Sequence, residues 1–231
     1  MSDKKTFVAS EEAVGKAKQL RMFAVLAWVA AMAGQVFAIL KLISDETLVW
    51  LIVAIVVILA LAITGSTLWK KANRLDPASG KDKTKFFIQN QLGAILGVLA
   101  FLPLAIMIFM NKDIDGKTKG IAGTIAVLAM AAAGITGADF NPPSVEKYTK
   151  EIQEQTADLE ELNVSDDVYW TESGNKYHIF DDCHHIKNKS NKSRGTVKQS
   201  FEQKGISELC KTCRKKAASQ RQIAPEPALT E

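Results

Sequence analysis

All three cysteines and all three histidines of this chain fall between positions 178 and 213. Thiolate sulfur and imidazole nitrogen are ligands that zinc prefers, held tetrahedrally. Cys210-Lys-Thr-Cys213 is a CxxC knuckle, in which two sulfurs can grip one ion from a tight turn. A CxxC by itself serves redox chemistry as readily as metal binding. Cys183 supplies a third sulfur and leaves one position for a histidine.

Spacing ranks the histidines. His184 adjoins Cys183, and adjacent side chains diverge. His185 would close a tight C-x-H bite. His178 precedes Cys183 across the turn-like "IFDD", and can approach from a strand end while the cysteine approaches from the turn. The favoured ligands are therefore His178, Cys183, Cys210 and Cys213, with His185 in reserve, and the expected ion is Zn2+. A reducing cytoplasmic face keeps thiols free for metal rather than paired in a disulfide.

The elements that must position these ligands are short. Val168–Thr171 and residues 177–180 have strand character on either side of "ESGNK", which predicts a hairpin. Thr196-Val-Lys-Gln199 is a capping box that opens a short helix to Lys204, and Gly205 suits the left-handed position that ends it. Residues 168–216 thus read as a small α+β zinc-binding module. So small a module buries too little core to be secure alone, and a metal supplies the missing stability.

The stretch "VYWTESGNKYHIFDDCHHI", with "GTVKQSFEQKGISELCKTC" after it, resembles a small zinc-binding module related to the metal-binding domain of the Ada DNA-repair protein, found appended to bacterial nucleases and membrane proteins. The shared pattern is a Tyr-His pair, a cysteine a few residues on, an intervening helix and then CxxC. The resemblance covers about residues 168–216. It implies His178, Cys183, Cys210 and Cys213 as ligands and a packing role at the His185 position. The polar stretch "KNKSNKSR" departs from the pattern and reads as a lengthened loop.

That resemblance raises methyl transfer to a zinc thiolate. Four thiolates give a formal site charge of about −2, whereas three thiolates and a neutral imidazole give about −1, so the sulfurs here are less electron-rich. Hydrolytic zinc needs an open position for water, and four good ligands leave none. Asp181 and Asp182 become candidate bases only if His178 does not ligate; otherwise they form a polar turn. The expectation is a structural site in a protein that is not an enzyme.

Ahead of the module the chain changes character. It is 47% hydrophobic with a net charge of +4, and its apolar residues concentrate before residue 139. Four runs, 22–43, 47–69, 86–110 and 120–138, are long enough to span a bilayer, which takes about 20 helical residues. Helices of a soluble bundle would carry a polar face, and these do not. The one charge inside them, Lys41, sits close enough to an end to snorkel. Short connections give an up-down four-helix transmembrane bundle. Gly93 and Gly97 form a GxxxG pair for close packing, and Pro103 predicts a kink. No ionisable group lies at mid-depth, which argues against a channel or carrier. Gln35, Gln89, Asn90 and Gln91 read as amide glue between helices.

The loop 70–85 holds six basic residues against two acidic ones, whereas the only charges in 44–46 are acidic. Positive loops stay inside. The N-terminal segment 1–21, the second loop and the tail are thus expected on the cytoplasmic side of a bacterial inner membrane. The three lysines of 111–119 pull the other way.

Residues 139–167 form an acidic connector. Pro142 and Pro143 block helix continuation, and Ser144 can cap a new helix. Val145, Tyr148, Ile152, Leu159 and Leu162 fall on heptad positions, with Gln155 among them. That stripe could pair with a second copy, making a homo-oligomer, or dock on its own tail. From 139 to 183 there are twelve acidic and three basic residues; from 184 to 221 there are eleven basic and two acidic. The basic region has three candidate partners: the acidic connector, anionic lipid and nucleic acid. No base-reading motif accompanies it. Residues 217–231 read as a disordered tail. The function expected is that of a multi-pass membrane protein whose zinc module binds a partner or surface. The alternatives are a membrane-tethered nucleic-acid-binding protein and a thiol redox or metal sensor.

Overall fold

The computed structural model describes residues 6–206 and 208–223, the last three without their side chains. The chain is mostly helical and divides into two units. One is Val14–Ser144; the other joins Met1–Ala13 to Val145–Glu231.

Long helices make the first unit. They are α1 (Glu11–Lys41), α2 (Leu48–Leu75), the pair α3 (Lys83–Leu99) and α4 (Leu102–Met110), and α5 (Gly116–Gly137). Together they provide four stretches long and apolar enough to cross a membrane, with mean hydropathy from 1.7 to 3.0. No more than 39% of any such stretch is buried. The outward faces are therefore apolar, with Val29, Phe37 and Leu128 all more than half exposed. A helix at the surface of a soluble protein turns a polar face outward instead.

Helices α1 and α2, α2 and α3, and α3 and α5 run in opposite directions, while α4 continues α3. Arg21 of α1 pairs with Asp76, just past the end of α2, at 2.7 Å. Ser66 of α2 donates to the Gly93 carbonyl of α3 at 3.3 Å, and Asn73 Nδ2 to the Gln89 carbonyl at 2.8 Å. Gly93 and Gly97 of α3 lie against Gly137 and Ala133 of α5. A Cβ at Gly97 would fall 2.8 Å from the Ala133 carbonyl oxygen, and one at Gly137 only 2.5 Å from the Gly93 backbone. The GxxxG pair is thus a backbone-to-backbone contact, which small residues alone permit. The third apolar run breaks at Ala100–Phe101, and Pro103 sits in the first turn of α4, where its missing N–H costs no helical bond. Three of the four amides join helices: Gln89 Nε2 donates to Asn73 Oδ1 at 3.3 Å, Asn73 Nδ2 to Asn90 Oδ1 at 3.5 Å, and Gln91 Nε2 to the Asp139 carbonyl at 2.9 Å. Gln35 is buried in α1, but its Nε2 meets no partner among the described residues, so it does not glue as expected.

Helix α1 starts eleven residues before the expected boundary of 22–43, at Glu11. Ser10 Oγ accepts the Ala13 N–H at 3.2 Å, and Glu11 and Glu12 favour the positive end of the helix. Residues 6–21 are therefore packed rather than free, and residues 1–5 lie outside the described residues. Phe7 is buried in the second unit, where its N–H donates to Thr149 Oγ1 at 2.8 Å. Its ring meets Tyr148 and Phe201 edge-on, with centroids 5.3 and 6.3 Å away.

The second unit continues with α6 (Val145–Glu161), β1 (Val168–Thr171), β2 (Lys192–Gly195), α7 (Val197–Lys204) and α8 (Lys211–Ile223). The apolar stripe of α6 docks on its own tail. Tyr148 and Leu159 are buried, and Gln155 Oε1 accepts the Tyr177 hydroxyl at 2.8 Å. Strand β1 pairs antiparallel with β2, Val168 opposite Gly195 and Thr171 opposite Lys192. The expected hairpin partner, 177–180, contributes one bridge, Tyr169 to His178. The stretch expected as a loop supplies the strand instead. Ladder bonds use backbone groups, and the β2 side chains are mostly exposed, so lysine, serine and arginine serve there. Around α7 the capping box forms in both directions, and Gly205 ends the helix at φ 66°. Helix α8 continues through part of the segment 217–231 expected as a disordered tail, because Ala217 packs into the core. Residues 224–231 lie outside the described residues.

Candidate metal centre

Backbone pairing brings the candidate ligands together. His178 is held by two bonds with Tyr169, its N–H donating to the Tyr169 carbonyl and its carbonyl accepting the Tyr169 N–H, both at 2.7 Å. Next to it, the Tyr177 N–H donates to the Glu208 carbonyl at 3.0 Å, and the Tyr177 carbonyl accepts the Cys210 N–H at 2.9 Å. The Tyr-His pair is thus stitched to the CxxC knuckle on one side and to β1 on the other. Cys183 sits in a turn, its N–H on the Phe180 carbonyl at 3.3 Å and its carbonyl accepting from Ile186 and Lys187 at 2.8 Å. Cys213 lies in the first turn of α8, where the Arg214 N–H bonds the Cys210 carbonyl at 3.0 Å.

The result is a buried cluster of His178, Cys183, Cys210 and Cys213, whose four ligand atoms all lie within 4.8 Å of one another. None of the four residues is more than 6% exposed. Cys213 Sγ is 3.6 Å from His178 Nδ1. Bonds of about 2.3 Å to sulfur and about 2.0 Å to nitrogen give a tetrahedron with edges of about 3.6 to 3.8 Å. The cluster therefore has the donor set and nearly the dimensions of a closed four-coordinate site. All three cysteines are free thiols.

No family model, curated protein or solved structure matches the chain.

The electrostatics suit metal ligation. Burial, with His185 and His184 nearby, pushes His178 down to about 4, so its imidazole is neutral and has a lone pair to give. Burial acts to raise the Cys210 thiol, but backbone N–H groups of Cys213 and Thr212 point at its sulfur and bring it below its ordinary value. Cys213 is raised by burial, and the N–H groups of Phe180 and Ile179 partly offset this. N–H donors around a thiolate spread its charge when a metal binds.

His185 is not drawn into the cluster. Its exposed ring lies 6.2 Å from that of His178 and 3.8 Å from that of His184, and its Nε2 is 3.5 Å from Thr212 Oγ1. Asp181 and Asp182 are exposed, and Asp182 is engaged by Lys216 at 2.8 Å. A cleft of about 370 Å3 is lined by His178 and Cys210 of the cluster with Lys176, His185, Lys211 and Thr212 among others, and none of the described residues lining it is a carboxylate.

Sequence reasoning passed over the residues that brace the site. Arg214 pairs with Asp158 of α6, Arg194 with Asp167 (Nε to Oδ1 2.9 Å), and Asp166 accepts the Val197 N–H at 2.8 Å. Two of the eleven basic residues of 184–221, Arg194 and Arg214, thus pair with the acidic connector. Alternating charge blocks in the sequence were the signal, but they do not say which pairs form.

Proposed function

We propose that this chain is a multi-pass membrane protein whose tail folds around a structural zinc ion and presents the resulting module to a partner or surface. One observation carries the reading: three sulfurs and one imidazole nitrogen, all buried, gather within 4.8 Å of one another from three separate stretches of chain. The ion would tie the Tyr-His segment, the Cys183 turn and the start of α8 into one fold, acting as its core. Four protein ligands leave no position for water, which favours a structural role over catalysis. The likeness of residues 168–216 to Ada-related modules points the same way.

The four long helices, with apolar residues facing outward, support insertion in a bilayer. The contact of Phe7 with Tyr148 and Phe201 supports a common side for the N-terminal segment and the tail, as four spans require. The charge of loop 70–85 makes that side the cytoplasm.

Zinc content of the purified full chain tests the reading. The parent and His185→Ala are expected to carry one equivalent and His178→Ala much less. Equal zinc in all three would remove His178 from the ligand set, and none in the parent would remove the ion.

A second reading, nucleic-acid binding by the tethered module, is favoured by Lys211 at the cleft beside His178 and Cys210, where Lys176 is held by Glu208. Binding by the full chain that weakens steeply with salt would support it, and no binding at low salt would end it.

A further inference from the structure

Within the helical unit, a groove of about 570 Å3 opens beside α1, α2 and the start of α3. One part of its wall is cationic and polar, with Arg21, Lys85 and the Thr84 hydroxyl; the other is apolar, with Trp69, Ile88 and Leu92. The groove is built in advance of any ligand. Arg21 donates to the Asp76 carboxylate at 2.7 Å and to the Asp76 carbonyl at 2.9 Å, and its guanidinium lies 5.7 Å from the centre of the Trp69 ring. Trp69 is locked in turn, its Nε1–H donating to the Gln89 carbonyl at 2.7 Å.

Asp82 also lines the groove, but its carboxylate caps α3 by accepting the Lys85 N–H at 3.0 Å. Both acidic residues of loop 70–85 are therefore engaged, Asp76 by Arg21 and Asp82 by the helix end, against six basic residues. Loop 70–85 as a whole keeps four more basic than acidic residues, and Lys85 is the member of that surplus that lines the groove, beside the Arg21–Asp76 pair. A free anion would use only that wall, and a neutral lipid only the apolar one. A molecule with a negative head and a hydrocarbon tail meets both. Trp69 at their junction is a residue type that favours the headgroup level.

We propose that this groove binds one anionic phospholipid, with its phosphate at Arg21, Thr84 and Lys85 and the first part of an acyl chain along Trp69, Ile88 and Leu92. The site rests on the membrane reading of the helices. Basic pockets between spanning helices on the cytoplasmic face take anionic headgroups by the same physics.

The test uses the full chain in phosphatidylcholine vesicles in which about a tenth of the lipid carries brominated acyl chains, either phosphatidylglycerol or phosphatidylcholine. Bromine quenches tryptophan fluorescence at close range. Flotation with the vesicles is measured first, and a chain that does not float overturns the membrane reading and the site with it. For a chain that floats, brominated phosphatidylglycerol is expected to quench more than brominated phosphatidylcholine. Trp69→Phe abolishes the excess, and Lys85→Gln demands about fivefold more anionic lipid for the same quench. Lys85 is exposed, so its replacement leaves the packing intact. Equal quenching by the two lipids in a chain that floats overturns the site alone. So does an excess unchanged in Lys85→Gln, or one abolished by millimolar inorganic phosphate.

Discussion

Cys213 Sγ and His178 Nδ1 lie 3.6 Å apart although 35 positions separate them in the chain. A neutral imidazole and a thiol gain little from such proximity by themselves. The distance is that of one edge of a zinc tetrahedron. With Cys183 and Cys210 completing the figure, the second unit has a polar centre where a domain of its size would otherwise place hydrocarbon.

Removing the ion is therefore expected to unfold the second unit and leave the helices standing. Structural zinc supplies an apparent stabilisation of about 10 kcal/mol or more in small modules. Limited proteolysis of the full chain with and without a strong chelator should show new cleavage within 168–216 and an unchanged fragment spanning α1–α5. A tail that stays resistant after its metal is stripped would contradict the structural role.

Acid should release the metal, with a sign set by the ligands. The closed site binds no protons at its ligands, whereas the released chain takes them up at three thiols and at His178. His178 is at about 4 when folded, against an ordinary value of 6.5. Stability contributed by its neutral form is present above pH 6.5 and is lost as pH falls from there toward 4. Zinc transfer to a chromogenic chelator, followed against pH, should steepen below pH 6.5 in the parent. Release that ignores pH would exclude protonatable ligands.

The α3–α5 contact predicts a contrast between glycines. Gly97→Val puts a side chain where the Ala133 carbonyl is 2.8 Å from the first carbon alone, whereas a Cβ at Gly120 meets nothing within 4 Å. The first change should cost about 1–3 kcal/mol, as overpacking does, and Gly120→Ala close to nothing. Thermal unfolding in detergent separates them, and equal melting temperatures would refute the close approach.

Phe7→Ala removes a ring buried between Tyr148 and Phe201. Losses for buried phenylalanine run to about 3–5 kcal/mol. The expected signature is faster protease cutting ahead of α1 and a lower melting temperature for the second unit, at full zinc content. Unchanged cutting would show that the N-terminal contact contributes nothing.

The parts legible in the sequence are those written in side chains. Apolar runs of spanning length, Gly93 with Gly97, the Thr196 capping box and Gly205 each appear where their chemistry requires. The four clustered residues were legible because every cysteine and histidine falls between positions 178 and 213. Strand β2 was not, because a backbone ladder can run through Lys192-Ser-Arg-Gly195 without any apolar residue. Phe7 was hidden as a single aromatic in a polar segment. On α6, Tyr148 and Leu159 satisfy a heptad as well as a docking face, and periodicity does not distinguish the two.

The bond from Phe7 to Thr149 joins positions 142 apart, and Phe201 closes over the same ring. During synthesis Phe7 must therefore wait until Thr149 and Phe201 have emerged before it finds its seat. During that wait a greasy ring and an unseated start of α1 stand open to holdases and proteases, so making the chain through Phe201 is what shelters Phe7.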